Sequence, residues 1–205
     1  MKAVRASVGL SAALALAMGS ATLSAQDTED FDPMTVSEAD AIGCRLDAAQ
    51  YNGFALSVSG PDGIAATRKW RKIRQPNAFL EEYELPAPIT VADHATRRIA
   101  FSANALVAVL DLADPNAVAA PEGVTNAVGD AAAAMVRLAP EGSAFRKFMG
   151  ERVLVDRTEP AAQDGGFGTH EIVARTISNV VTHPGKTLYG CSYRIEMLDG
   201  EGNPL

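Results

Sequence analysis

Two runs near the C-terminus, residues 172–181 and 187–198, alternate apolar and polar side chains. This period of two places successive side chains on opposite faces of a β-strand. The segment 183–186 between them, His-Pro-Gly-Lys, favours a turn, because proline fixes φ and glycine accepts a positive φ. We therefore predict a long β-hairpin, and with it an antiparallel sheet as the base of the fold.

The second arm of this hairpin has one apolar face. That face consists of Tyr189, Cys191, Tyr193, Ile195 and Met197. We expect these side chains to lie in the core, because an antiparallel sheet commonly buries one face and exposes the other.

Helical patterns occur before the hairpin, at two places in the chain. Thr35 and Glu38 have the spacing of a capping box, and the apolar residues that follow predict a helix over 36–50. Asp114-Pro115 is typical of a helix start, and the alanine-rich segment 125–139 predicts a further helix.

Alternating segments between these helices predict further strands. Residues 54–59 predict a strand with one buried face, and residues 64–74 predict a second. The apolar section 99–112 predicts two strands that meet near residues 103–104, and residues 153–155 predict another. The element order predicts the α+β class: an antiparallel β-sheet with an N-terminal helix and one or two further helices in the middle of the chain.

Residues 68–84 combine a cationic run with an acidic one. A two-residue turn at Pro76-Asn77 would create five complementary cross-strand pairs: Ile73–Leu80, Lys72–Glu81, Arg71–Glu82, Trp70–Tyr83 and Lys69–Glu84. Such pairs can fix the register of a hairpin. The cationic run is also a candidate site for an anionic surface, such as the phosphates of a cell-envelope component. The candidate residues are Arg68, Lys69, Trp70, Arg71, Lys72 and Arg74.

The first 25 residues have the three regions of a secretory signal peptide. Lys2 and Arg5 form the positive region, residues 8–18 form the apolar region, and small residues precede Gln26. A bacterial lipoprotein signal would have its acylated cysteine at the position of Gln26. We therefore expect a soluble periplasmic or secreted protein without a lipid anchor, and no later segment is apolar for long enough to span a bilayer.

The rest of the 205-residue chain has the length of one ordinary domain. We assign residues 26–34 to an acidic mobile leader and residues 35–205 to a single α+β domain. The chain has two cysteines, Cys44 and Cys191. Because an exported protein meets an oxidising compartment, we predict that these two form a disulfide.

Composition and motifs argue against several classes of function. The 18 Lys and Arg residues against 25 Asp and Glu give a net charge of −7, which disfavours nucleic-acid binding. Gly185-Lys186-Thr187 lacks the earlier glycine that a phosphate-binding loop needs. His94, His170 and His183 lack metal-ligand spacing, and the usual nucleophile motifs are missing from the sequence. We therefore assign no catalytic residue, no metal and no cofactor.

Two functional hypotheses remain. The first is an exported, non-catalytic protein that binds a partner or an envelope component through the sheet surface or the segment 68–84. The alternative is a periplasmic hydrolase whose site is assembled from distant residues around His94 or His170. A histidine that meets a carboxylate in a pocket would favour the hydrolase, whereas a flat surface would favour binding.

Overall fold

The computed structural model describes residues 31–74, 76–128, 147–161 and 166–205. These residues form a seven-stranded sheet in which every neighbouring pair is antiparallel. The strands are β1 (Arg71–Ile73), β2 (Glu81–Val91), β3 (His94–Ser102), β4 (Ala105–Leu110), β5 (Met149–Glu159), β6 (Gly168–Ser178) and β7 (Thr187–Leu198). The helices are α1 (Glu38–Ile42), α2 (Ala48–Leu56), α3 (Ile64–Thr67) and α4 (Asn116–Ala119), and a 3-10 turn covers Pro33–Thr35. The predicted α+β class with an antiparallel sheet is confirmed.

The sheet consists of two meanders that meet at their last strands. Its strand order is β1-β2-β3-β4-β7-β6-β5, so β4 and β7 are neighbours although a long stretch of chain separates them. Their pairing runs from Ala105 opposite Ser192 to Leu110 opposite Thr187. As a result β7 lies inside the sheet, and β1 and β5 form its edges.

Helices α1, α2 and α3 cover one side of the sheet, here called the helix face. Tyr51 and Phe54 of α2 are buried there, and the Tyr51 ring stacks on the ring of Tyr193 in β7, with centroids 4.3 Å apart. Strand residues of the same core include Ile99, Leu106, Leu110, Val173 and Ile177. Full burial of each such side chain contributes about 1.5–3 kcal/mol to folding, so this layer is the main core.

The predicted helix over 36–50 is wrong in its extent, because the chain turns in its middle. Helix α1 ends before Cys44, which has a φ of 59° in the left-handed region that a continuous helix does not allow. This turn brings Cys44 to Cys191 of β7, and the predicted disulfide is confirmed, with the two Cα atoms 5.2 Å apart. The buried guanidinium of Arg175 donates to the Ile42 carbonyl at the same corner, at 2.6 Å.

The two strands predicted after this helix are also wrong. A capping box between Asp47 and Gln50 starts α2, and this helix includes the first half of the segment 54–59. The segment 64–74 divides into α3 and β1, with Lys69 at a φ of 58° between them. Local hydrogen bonding at Asp47 and a left-handed turn at Lys69 therefore outweigh the alternating pattern.

The predicted C-terminal hairpin is confirmed. Strand β7 has the predicted bounds. Strand β6 covers most of the first arm predicted over 172–181, but it starts at Gly168 and ends at Ser178. The predicted core face of β7 divides into buried Tyr189, Cys191 and Tyr193 and more exposed Ile195 and Met197. The buried half lies where the strand passes under α1 and α2.

Strands β1 and β2 form an antiparallel hairpin, but the predicted register is wrong by two residues. Arg71 lies opposite Glu84, not opposite Glu82. The connection spans residues 74–80 instead of a two-residue turn. Glu82 forms its ion pair with Arg98 of β3, and not with Arg71 of β1 as predicted.

Other predictions concern smaller elements or residues that are not described. The strands predicted to meet near residues 103–104 are β3 and β4, and residues 153–155 belong to β5. The predicted signal peptide and most of the helix predicted over 125–139 lie outside the described residues, while residues 125–128 are described and are not helical. Among the described helices, none is long and apolar enough to cross a membrane.

Candidate functional site

The other side of the sheet, here called the pocket face, has a floor of small side chains. Ala100, Val107 and Gly190 lie in register on β3, β4 and β7. A Cβ atom added to Gly190 would lie 2.1 Å from the carbonyl oxygen of Leu106 and 2.6 Å from the Cα atom of Val107. A side chain at this position would clash with backbone, so glycine allows β4 and β7 to approach and keeps the floor low.

A cavity of about 500 Å³ lies on this floor and is here called the apolar cavity. The connection 77–80 forms one wall, and residues 127–128 and 147–149 form the other. Its described lining consists of Asn77, Phe79, Leu80, Ser102, Ala105, Val107, Ala127, Val128, Lys147, Met149, Thr176, Ser178, Val180 and Leu188. Its volume lies within the range of about 300–1,000 Å³ that is typical of small-molecule sites, and its lining is mainly apolar.

Lys147 is the charged residue in the described lining of the apolar cavity. Its ammonium donates a hydrogen bond to the Asn179 carbonyl, and burial lowers the pKa of this ammonium below its ordinary value. Among the described residues, no carboxylate lies within ion-pair distance of its Nζ atom. The wall of an otherwise apolar site therefore includes a cation and several hydroxyl groups.

A second, more polar cavity of about 540 Å³ adjoins the first and is here called the polar cavity. Asn77, Phe79 and Leu80 line both cavities. The Phe79 side chain is 85% exposed, which is unusual for a phenylalanine and places an aromatic ring at the boundary. The charged residues of the polar cavity are Lys72, Arg74, Glu81 and Glu82.

A buried ionic cluster supports the wall that the two cavities share. Glu82 is fully buried, its Oε2 atom lies 2.9 Å from Nε2 of His183, and its Oε1 atom accepts from Arg98. Burial raises the pKa of Glu82, but the contacts with His183 and Arg98 outweigh it, so the pKa is below its ordinary value. Next to the cluster, Asn77 donates to Thr182 at 3.4 Å, which joins the connection 77–80 to the β6–β7 turn.

The structure separates the six residues of the predicted cationic site. Arg68 pairs with Glu38 at 2.8 Å, and it also donates to two backbone carbonyls of the preceding chain. The Trp70 side chain is buried, with its ring centroid 5.6 Å from that of Tyr83. These two residues therefore contribute to the packing of the helix face and are not free to contact a surface.

The other four residues of that site remain at the surface. Arg71 pairs with Glu84. Lys72 pairs with Glu81 at 2.8 Å, and these two residues are one of the predicted pairs. Lys69 and Arg74 are exposed, and no described carboxylate lies within ion-pair distance of either. Of the six, Lys72 and Arg74 line a cavity.

The two histidines of the hydrolase hypothesis lie on separate strands. His94 starts β3, whereas His170 belongs to β6, and β4 and β7 lie between them. His170 has Asp156 at 2.8 Å and Glu196 at 3.4 Å, and the hydrogen bond to Asp156 raises the pKa of its ring. Neither histidine belongs to the described lining of the two cavities. Within the described ranges, no group of three His, Cys, Asp or Glu side chains could hold a metal ion.

Sequence reasoning missed Phe79, Lys147 and the hydroxyl residues of the apolar cavity. At the end of β3, Ile99 and Phe101 alternate with Ala100 and Ser102, which is a signal for two unequal faces but not for a cavity. No signal in the sequence joins these strands to the connection 77–80 or to Lys147, because the contacts are formed across the sheet. No protein-family model, curated protein or solved structure matches this chain.

Proposed function

We propose that this chain is an exported, non-catalytic protein that binds an apolar ligand in the apolar cavity. The observation that carries this proposal is the cavity itself: its volume of about 500 Å³ and its mainly aliphatic, aromatic and small lining. A site of this kind gains affinity from removing apolar ligand surface from water. The ligand would be the envelope component that the sequence led us to expect at the sheet surface.

The chemistry of the lining supports binding more than catalysis. Its described residues include Lys147 and a few hydroxyl and amide groups, but no histidine, cysteine or carboxylate. General acid-base catalysis usually needs such a group within hydrogen-bond distance of the reacting atoms. The hydrolase hypothesis receives less support, because His170 lies on an exposed part of the sheet and His94 lies on a distant strand.

Export is the second part of this proposal. The signal-like sequence of residues 1–25 supports it, and the disulfide between Cys44 and Cys191 is compatible with an oxidising compartment. Intact-mass measurement of protein from the periplasmic fraction tests it. A mature chain that starts near Gln26 and has no acyl group would support export as a lipid-free protein, whereas retained signal residues or acylation would contradict it.

Binding can be tested by titration with N-phenyl-1-naphthylamine, a neutral apolar fluorophore. We expect saturable fluorescence enhancement with the disulfide-bonded protein. Ser102→Phe and Ser178→Phe each add a large side chain to the cavity and should abolish this enhancement. Ala66→Phe is the matched control, because Ala66 is exposed in α3, on the helix face.

Two results would overturn the proposed site. One is the lack of saturable binding to wild-type protein that circular dichroism shows to be folded. The other is equal binding by the wild type and by both cavity-filling variants, since the fluorophore would then occupy another place. The Ala66→Phe control should bind as the wild type does.

A further inference from the structure

We infer that the ligand is a single-chain anionic amphiphile, with its apolar chain in the apolar cavity and its acidic head group in the polar cavity near Lys72 and Arg74. This inference rests on the proposed function and specifies the chemical class of the ligand. The carrying observation is that an apolar cavity and a cation-lined cavity adjoin and share part of their lining.

The first step of the inference is the continuity of the two cavities. Asn77, Phe79 and Leu80 line both cavities, whose volumes are about 500 and 540 Å³. The exposed Phe79 ring lies where an extended ligand would pass from the apolar to the polar side. A ligand that occupies both cavities must therefore have an apolar part and a polar part.

The second step is the sign of the charge in the polar cavity. Glu82 is buried and forms an ion pair with Arg98, and Glu81 is paired with Lys72 at 2.8 Å. Arg74 is exposed at this cavity, and no described carboxylate lies within ion-pair distance of its guanidinium. The uncompensated charge is thus positive, and it favours an acidic head group over a neutral or cationic one.

The third step is the choice between this cavity and Lys147 as the head-group site. The Lys147 ammonium already donates to the Asn179 carbonyl, and its partial burial disfavours the charged form. Arg74 has a planar guanidinium, which can bind two oxygens of one acid group. Arg74 of the polar cavity is therefore a better partner for an anion than Lys147 of the apolar cavity.

A single amphiphile fits this arrangement better than the surface of a bilayer. A bilayer offers its head groups as an extended plane, whereas the apolar lining here is recessed on the sheet floor. To fill that space, an alkyl chain would have to leave the bilayer interior. We therefore commit to the monomeric amphiphile and treat vesicle binding as an outcome of the test.

The experiment compares three ligands with the same alkyl chain: dodecyl phosphate, dodecanol and dodecyltrimethylammonium. Each is titrated, below its aggregation concentration, against protein loaded with N-phenyl-1-naphthylamine. We expect the wild type to prefer the phosphate over the cation by about tenfold or more, the factor that 1.4 kcal/mol gives. The double variant Lys72→Gln/Arg74→Gln should lose most of this preference and keep its affinity for dodecanol.

Lys69→Gln is the matched control for the double variant. Lys69 belongs to the same cationic segment and is exposed, but it does not belong to the described lining of the polar cavity. This variant should keep the wild-type preference for the phosphate. If it loses the preference to the same extent, the effect comes from the general charge of the segment, and the head-group site is refuted.

Other outcomes separate this inference from the proposed function. If dodecanol displaces the fluorophore but the double variant still prefers the phosphate, the head-group site is wrong and the apolar site stands. Loss of the preference in Lys147→Met alone would refute the head-group site in the same way. Binding to phosphatidylglycerol vesicles without binding to any monomer would refute both, as would the failure of every ligand and of the fluorophore to bind.

Discussion

His170 lies between two carboxylates, with Asp156 at 2.8 Å and Glu196 at 3.4 Å. The hydrogen bond to Asp156 is the larger cause of the raised pKa of this imidazole. A raised pKa means that the charged ring is favoured in the folded protein. Its contribution to stability is present below the ordinary value of 6.5 and is lost as the pH rises through the folded value.

Asp156→Asn should lower the pKa of His170, because it removes the main carboxylate partner and leaves Glu196. The pKa can be measured by following the ring protons of His170 in an NMR titration. Glu201→Gln is a suitable control, since Glu201 is exposed, follows the end of β7 and is not one of the two carboxylates within ion-pair distance of His170. An unchanged pKa in Asp156→Asn would contradict the observed geometry.

Glu82 is the residue at which sequence reasoning and structure differ most. The predicted partner was Arg71 on the adjacent strand, whereas the observed partners are Arg98 and His183. Neither contact is visible in the sequence, because one depends on the β2–β3 register and the other on the position of the β6–β7 turn. A buried carboxylate needs such partners, since an unpaired one would be costly to desolvate.

Glu82→Gln should destabilise the protein by about 1–3 kcal/mol, because it weakens charge-assisted hydrogen bonds to two buried or half-buried partners. The lowered pKa of Glu82 contributes stability that is present above the ordinary value of 4.5 and lost as the pH falls through the folded value. Urea unfolding at several pH values should therefore show that acidification lowers the free energy of unfolding less in the variant than in the wild type. Glu201→Gln should change stability by less than about 0.5 kcal/mol, and equal stability of Glu82→Gln and wild type would refute the role of the cluster.

Individual elements differed in how well the sequence predicted them. Strand β7 has its predicted bounds, because a long alternation and a strong turn at 183–186 leave little choice of register. The N-terminal helix was wrong in its extent, since the chain takes a left-handed turn at Cys44, the residue that forms the disulfide with a distant strand. The capping box at Asp47 was present in the sequence and could have corrected the start of α2.

The apolar cavity could not be predicted from the sequence, because it depends on contacts between segments that are distant in the chain. Alternation along β3 and β4 indicates which residues share a face, but the cavity also needs walls from the connection 77–80 and from Lys147. These segments meet the strands only through the order of the whole sheet. The predicted binding role of the sheet surface remains a proposal, and the structure adds the place where it can be tested.

The substitution Gly190→Ala tests the close contact between β4 and β7. Gly190→Ala would place a Cβ atom 2.1 Å from the Leu106 carbonyl oxygen, so the two central strands must separate. We expect a loss of about 1–3 kcal/mol or more, the usual cost of overpacking, measured by urea unfolding. Ser192→Ala, on the same strand, removes atoms and should cost less; a neutral Gly190→Ala would show that the strands can shift freely.

At the scale of the whole molecule, the disulfide joins the corner after α1 to the central strand β7, with 147 residues of sequence separation. A crosslink that closes such a long loop restricts the unfolded chain strongly. We expect Cys44→Ala/Cys191→Ala to lower the free energy of unfolding by about 2–5 kcal/mol. Urea unfolding measures the loss, and thiol labelling of the wild type under denaturing conditions should find no free cysteine. Equal stability of the two proteins would contradict a structural role for the bond.

The order of the sheet also has a consequence for the time course of synthesis. Strands β1–β4 can pair with one another as soon as they are made, but β4 must wait for β7, the last strand in chain order. During that interval β4 offers an open edge, and α1 and α2 lack much of the surface on which they pack. The risk of aggregation and of proteolysis is therefore greatest for the incomplete chain, before residue 198 has emerged and β7 can pair with β4.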